Sequence, residues 1–174
     1  MAVSLRDGRF RESCLLMLGF VACGLQLSIV GPILPDLSNR TGNSLTEYGA
    51  VFVARAVGNV AGAFLSMAVV DKVEYMALMC LIFVANAVII FMLIFSVNIY
   101  QVAGVLAFDG LSMGVLDAVG NVAIMRIWKK PEDEAMKTTF LHLMHAAFAL
   151  GGLMNGTLII FDIKRIFLRV KSTE

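Results

Sequence analysis

Charge is scarce in this chain. Asp, Glu, Lys and Arg make up only 16% of it, against roughly 25% in ordinary soluble domains, and the formal net charge is +1. That gives no electrostatic case for a nucleic-acid partner. Cysteine is equally sparse. Cys14, Cys23 and Cys80 all fall in apolar runs and read as small buried hydrophobes, not as a disulfide framework or metal site. There are two histidines, His142 and His145, so no credible zinc set exists and no cofactor is expected. The three prolines stand where spans are expected to end or loops to run: Pro32 and Pro35 close the first apolar span, and Pro131 sits in a polar loop from Lys129 to Glu134.

Apolar residues dominate instead. The chain has 174 residues and is 59% hydrophobic, with a mean hydropathy of +0.85, where soluble domains are about 45–50% apolar. This composition predicts an all-α polytopic membrane protein. Each of five runs is near or above the ~20 residues that a bilayer requires. They cover residues 14–34, 48–70, 76–97, 102–127 and 136–161. A polar segment, 1–13, precedes this bundle of 14–161, and a basic tail, 162–174, follows it. The first run is too long for a signal-peptide core and is read as a retained span. Asn43, Ser44 and Thr46 offer caps for the second span, and Glu47 suits its N-terminus.

The distribution of cations supports a cytoplasmic N-terminus, as for a plasma-membrane protein. Arg6, Arg9, Arg11, Lys72, Arg126, Lys129, Lys130 and Lys137 fall on the presumed inner side, and Arg40 alone on the outer. Five spans would place the basic tail outside. That conflict favours a chain that stops where a longer protein continues.

Two spans carry polar stripes. Gly110, Gly114, Asp117 and Asn121 are spaced i, i+4, i+7, i+11, as are Arg55, Asn59, Gly62 and Ser66. At 3.6 residues per turn each set lies on one side of its helix. Ionisable groups at membrane depth are costly and generally face a bundle interior or watery cavity, so these stripes point to a solute pathway. Asp117 and Asn121 can bind hydroxyl groups, a cation or a proton; Asp117 can also pair with Arg55. Arg55 has the same two readings, substrate contact or an ion pair with Asp109 or Asp117. Spans one, two, four and five hold Gln26, Asn59, His142, His145 and Asn155 among their polar groups. The third is apolar nearly all round and should face lipid. Gly58 and Gly62, Gly110 and Gly114, and Gly152 and Gly156 form three GxxxG pairs, whose ordinary use is close helix packing.

Three other motifs have restricted readings. Gly110-Leu-Ser112-Met-Gly114 matches G-x-S-x-G, but a nucleophile elbow needs a strand-turn-helix context, which leaves an intramembrane serine protease as a remote alternative. Asn39-Arg40-Thr41 is a glycosylation sequon in a short outer loop. Asn155-Gly156-Thr157 lies within a span.

The run Gly110-Leu-Ser-Met-Gly-Val-Leu-Asp117-Ala-Val-Gly120-Asn121-Val, continuing to Arg126-Ile-Trp128, resembles the fourth helix of a branch of the major facilitator superfamily. That branch contains the sodium-dependent glucose transporter-like proteins and is distantly similar to fucose permeases. Gly31-Pro32-Ile-Leu-Pro35-Asp36-Leu37 resembles the end of its first helix. A histidine followed by Phe148, Leu150 and Gly151 resembles its fifth: His145 aligns by its downstream residues and His142 by the leucine before it. The resemblance covers the N-terminal helical bundle of a twelve-helix fold. It implies alternating-access transport of a hexose coupled to Na+ or H+, with the sugar and the bilayer as partners. Gln26, Asn59, Asp117, Asn121 and His145 then become candidate substrate contacts, and Arg55 with Asp109 sets the field. Helices beyond the fifth would be supplied by a full-length carrier. The family's Gly-x-x-x-Asp-Arg/Lys-x-Gly-x-Arg/Lys loop survives only as Asp71-Lys72, since Met67, Glu74 and Met76 replace the other positions, and Asn155 stands where a proline is expected. The rival reading is a small non-transporting membrane protein that assembles through its GxxxG faces.

Overall fold

The structure is a computed structural model that describes residues 8–171, with side chains as far as residue 156. The charges of the C-terminal tail, and Arg6, lie outside the described residues. Five α-helices follow one another: α1 (Gly8–Thr41), α2 (Tyr48–Val69), α3 (Tyr75–Met92), α4 (Ile99–Ile127) and α5 (Glu134–Lys171). Short 3-10 turns, Leu93–Phe95 and Pro131–Asp133, follow α3 and precede α5. The described residues contain no strand, and four helices among them, α1 to α4, are long and apolar enough to cross a bilayer. The chain is an all-α membrane bundle. Helices are the natural result, because hydrocarbon cannot satisfy open backbone groups.

The ends of the helices are written in local chemistry. Glu74 caps α3, its carboxylate accepting from the amides of Met76 and Ala77 at 3.0 and 2.7 Å. Asn98 caps α4 by accepting from the Gln101 amide, and Gln101 accepts in return from the Val97 amide, both at 2.9 Å. Before α2, Ser44 and Glu47 form the same reciprocal pair: Glu47 accepts from the Ser44 amide at 2.7 Å and its hydroxyl at 3.0 Å. The sequence offered Asn43, Ser44 and Thr46 as caps; of these the chain uses Ser44, one turn ahead of the regular helix.

Pro32 and Pro35 do not close the first helix. α1 runs through both to Thr41. The carbonyl that Pro35 crowds belongs to Gly31, whose backbone tilts most freely, and membrane helices tolerate proline where neighbouring groups compensate. The extension matters at the far end, where Arg40 donates to the carbonyls of Leu93 and Ile94 at 2.7 and 2.8 Å. Those carbonyls end α3, where a cation is favoured.

The chain divides into two compact units, Met1–Ile33 with Lys130–Glu174, and Leu34–Lys129. In the first, α1 meets α5 backbone to backbone. A Cβ built on Gly24 would sit 2.0 Å from the Phe148 carbonyl oxygen, and one on Gly151 would sit 2.1 Å from that of Val21. Asn155 donates to the Ser28 hydroxyl at 3.0 Å, and Arg9 pairs with Asp133 at 2.7 Å. The expected packing glycines of α5, Gly152 and Gly156, take no such part: Gly152 makes ordinary contact at 3.9 Å and Gly156 meets nothing within 4 Å. Gly151 is one residue, about 100° of helix, from Gly152, and it is the face that α1 approaches.

In the second unit, α4 is the central element, packed by both α2 and α3. α3 buries only Leu78, Met79 and Asn86 and exposes Leu81, Val84, Val88 and Phe91, as an all-round apolar helix should. Cys80 is exposed on it, while Cys23 is buried and Cys14 half-buried, so the expectation of three buried cysteines holds fully only for Cys23.

The Glu47 carboxylate is held below its ordinary value, first by the Ser44 amide and then by the side chains of Ser44 and Asn43. Such a group favours the folded turn above the ordinary carboxylate value, about 4.3, and that contribution is lost as pH falls through the lower folded value. Thermal melts between pH 7 and pH 3 should therefore show a small acid-side loss that Glu47→Gln abolishes. A variant that keeps the wild-type slope would contradict this.

Candidate functional site

Four glycines weld α2 to α4. A Cβ on Gly58 or Gly62 would meet the carbonyl oxygens of Ala107 and Leu111 at 2.0 Å, and one on Gly110 or Gly114 would meet those of Arg55 and Asn59 at the same distance. Each helix presents hydrogens where the other presents carbonyls, which permits Cα–H···O contacts along the seam. The order of the partners shows that the two helices run parallel: 58 and 62 face 107 and 111, and 55 and 59 face 110 and 114.

Beside this seam lies a buried ion pair. The Arg55 guanidinium approaches the Asp109 carboxylate at 2.5 Å, with side-chain exposures of 10% and 0%. The two atoms meet off the axis of a linear hydrogen bond, so the contact acts through charge. Arg55 thus pairs with Asp109, the partner the sequence offered first, and not with Asp117. Ser66, the last member of the α2 stripe, is also buried, its hydroxyl donating to the Ala63 carbonyl at 2.7 Å. Most of the α2 stripe is therefore sealed within the pair.

The α4 stripe behaves differently along its length. Gly110 and Gly114 are covered by α2, whereas Asp117 is exposed and Asn121 half-exposed. Both lie on the side of α4 that carries those glycines, past Gly114. Asn121 donates through Nδ2 to the Asp117 backbone carbonyl at 2.9 Å, which leaves the Asp117 carboxylate unused by that bond. Asn59 is exposed and its backbone touches Gly114, one turn before Asp117. The second unit thus carries Asn59, Asp117 and Asn121 along the α2–α4 pair: one carboxylate, which accepts, and two amides, which both accept and donate.

Gln26 and His145 belong to the first unit. Gln26 is half-buried on α1. His145 is exposed on α5, with Nδ1 2.8 Å from the Leu141 carbonyl and its ring 6.4 Å from that of Phe20. His142 is exposed as well, so neither histidine is the buried kind that a purely structural role would need.

The loop remnant has a structural partner that the sequence did not reveal. Asp71 pairs with Arg126 at 2.5 Å, and Arg126 also donates to the Val70 carbonyl at 3.0 Å, tying the ends of α2 and α4 together. Glu74, which departs from the family loop, is spent on capping α3. Among the described residues no group of His, Cys, Asp and Glu could hold a metal ion. Ser112 is buried in mid-helix, without the strand-turn-helix setting that a nucleophile elbow demands.

Two substitutions separate the seam from the charges. Gly114→Ala drives a methyl against backbone and should cost about 1–3 kcal/mol, while Gly104→Ala, facing open space, should be tolerated. Asp109→Asn leaves Arg55 buried without its counter-charge and should cost about 3–5 kcal/mol, whereas Arg55→Met with Asp109→Leu should recover most of it. Reversible unfolding in detergent measures both; equal melts for Gly114→Ala and Gly104→Ala would refute the seam.

Comparison with known proteins adds the family. Residues 16–168 match the Major Facilitator Superfamily. The chain is 29% identical to human sodium-dependent glucose transporter 1 over 80% of its own length and 26% of that protein's. It is 31% identical to zebrafish major facilitator superfamily domain-containing protein 4B, over 89% of this chain and 28% of the relative. Mouse major facilitator superfamily domain-containing protein 4A is 30% identical over 78% and 26%. The chain thus spans less than a third of the length of these relatives. No solved structure matches it. Its apolar helices and its relatives make it an integral, multi-pass membrane protein. The chain belongs to the Major Facilitator Superfamily.

Proposed function

We propose that this chain serves the transport of a hexose across the plasma membrane by alternating access, coupled to a Na+ or H+ gradient and with its N-terminus in the cytoplasm. The single observation that carries the reading is the exposed Asp117 carboxylate in α4, one turn past the glycine contacts of the α2–α4 seam. A carboxylate at that position in an apolar helix is costly unless water or a ligand meets it. Asn59 and Asn121 stand beside it to accept from and donate to sugar hydroxyls. Gln26 on α1 and His145 on α5 are the first unit's own candidate polar groups for the solute. Arg55 with Asp109 sets the local field without touching the solute, since the pair is sealed. The similarity to a protein named for sodium-dependent glucose transport favours a hexose and Na+ over other solutes and ions.

The rival reading, a non-transporting protein that assembles through its GxxxG faces, rests on Gly152 and Gly156 alone, whose added Cβ atoms would meet no protein closer than 3.9 Å. Gly58, Gly62, Gly110 and Gly114 are already consumed by α2 and α4 within the chain. Carriers of this kind bind between repeats that rock about a central site, so the activity is tested in a full set of helices.

A chimera in which this chain replaces the aligned segment of human sodium-dependent glucose transporter 1 provides that set. Uptake of radiolabelled glucose into vesicles should fall by at least about tenfold, roughly 1.4 kcal/mol of binding or barrier, in Asp117→Asn, and removing the Na+ gradient should slow the parent. Undiminished uptake by Asp117→Asn would remove the carboxylate from the mechanism, and uptake that follows a proton gradient alone would replace the coupling ion.

A further inference from the structure

We propose that the end of the α3–α4 hairpin holds a neutral, hydroxyl-bearing lipid of the sterol class, in a cavity of about 440 Å3 distinct from the polar seam. Ile89, Phe95, Ser96, Gln101, Gly104 and Phe108 form the parts of its wall that decide the occupant. The volume lies within the range of small-molecule sites.

Gly104 is the first clue. The glycines of the same helix at 110 and 114 are pressed against α2, yet a Cβ on Gly104 would meet nothing within 4 Å. Glycine is a poor helix former, and here no close helix approach requires it. Its missing side chain is part of the cavity.

Polarity sets the orientation of the occupant. Ser96 and Gln101 lie beside the α3–α4 turn, where the Gln101 carbonyl oxygen is taken by the Val97 amide and its NH2 supplies donor chemistry. Ile89 and Phe108 each lie seven residues deeper, about 10 Å along a helix. That depth is roughly a third of a ~30 Å hydrocarbon core, so the cavity stays within one leaflet. Tyr100, 84% exposed beside the mouth, has the amphipathic ring expected where hydrocarbon meets headgroups.

Charge selects among lipids. The lining contains no Asp, Glu, Lys or Arg. The nearby cation, Arg40, is committed to the Leu93 and Ile94 carbonyls. A phosphate headgroup would require basic partners that this wall does not provide. A rigid apolar body with one hydroxyl matches a neutral wall with a polar mouth and the exposed ring faces of Phe95 and Phe108.

The test uses the purified chain in phosphatidylcholine vesicles, with a diazirine-bearing cholesterol analogue or a diazirine-bearing phosphatidylcholine as probe. The sterol probe should label residues 89–108, and unlabelled cholesterol should compete. A sterane without the hydroxyl should compete at least about tenfold less well. Gly104→Leu, whose Cβ enters open space and whose branch extends into the cavity, should cut sterol labelling by a similar factor and leave phosphatidylcholine labelling unchanged. Equal labelling by both probes, equal competition by the sterane, or sterol labelling indifferent to Gly104→Leu would overturn the proposal. So would cross-links between two copies of the chain through residues 95–108, which would make the cavity a protein interface. The sterane competition needs no variant and decides the matter even if Gly104→Leu folds poorly.

Discussion

Two helix backbones can approach to carbonyl contact only where a hydrogen stands in place of a Cβ. The α2–α4 pair meets that condition four times, at Gly58, Gly62, Gly110 and Gly114, with 2.0 Å between each hypothetical Cβ and the opposing oxygen. In hydrocarbon no water drives helices together, so association depends on close packing and on polar contacts between them. Such a seam supplies packing and weak C–H···O contacts over two helical turns. It also explains how the chain can carry Arg55 and Asp109 at membrane depth. The backbones are so close there that the two charges fall within 2.5 Å of one another, and the pair becomes nearly neutral to its surroundings.

The same seam defines where function begins. Along α4, one side is covered as long as glycine lets α2 approach. At Asp117 and Asn121 the side chains are no longer minimal, and Asp117 is exposed and Asn121 half-exposed. Closure and opening are two consequences of one stripe. Asp71 and Arg126 join the far ends of α2 and α4, so the open stretch lies between two fastened points. Polar groups held between such points keep their geometry, which the proposed recognition of a hydroxyl-rich solute requires.

Much of this was legible in the sequence, for definite reasons. Helical class follows from length and hydropathy; of the five expected spans, the first four are long and apolar enough to cross a bilayer among the described residues. The glycines of α2 and α4 were readable because each pair stands alone at i, i+4. On α5 the same rule selected Gly152 and Gly156, while the contact uses Gly151 with Gly24. Adjacent glycines differ in face by about 100°, and only the approach of a partner distinguishes them. Pro32 and Pro35 suggested an ending that α1 ignores, because a tertiary setting can compensate two missing donors. The two stripes looked identical by period. That Arg55 and Ser66 are buried while Asp117 is exposed depends on what packs around each position, which no spacing records.

The departures from the family loop have a physical counterpart. Glu74 stands where the family places glycine, and its carboxylate accepts from two amides of the first turn of α3. An acidic group there stabilises a helix N-terminus. Glycine would have left those amides to water. Asp71, the position that is retained, reaches across to Arg126 and fastens α2 to α4. The loop has therefore exchanged a flexible residue for a cap while retaining its ion pair. The cap stiffens the start of α3 without loosening the α2–α4 pair. A rigid pair that carries the polar patch, joined to a well-capped lipid-facing helix, is the division of labour that the apolar third span and the polar second and fourth already implied.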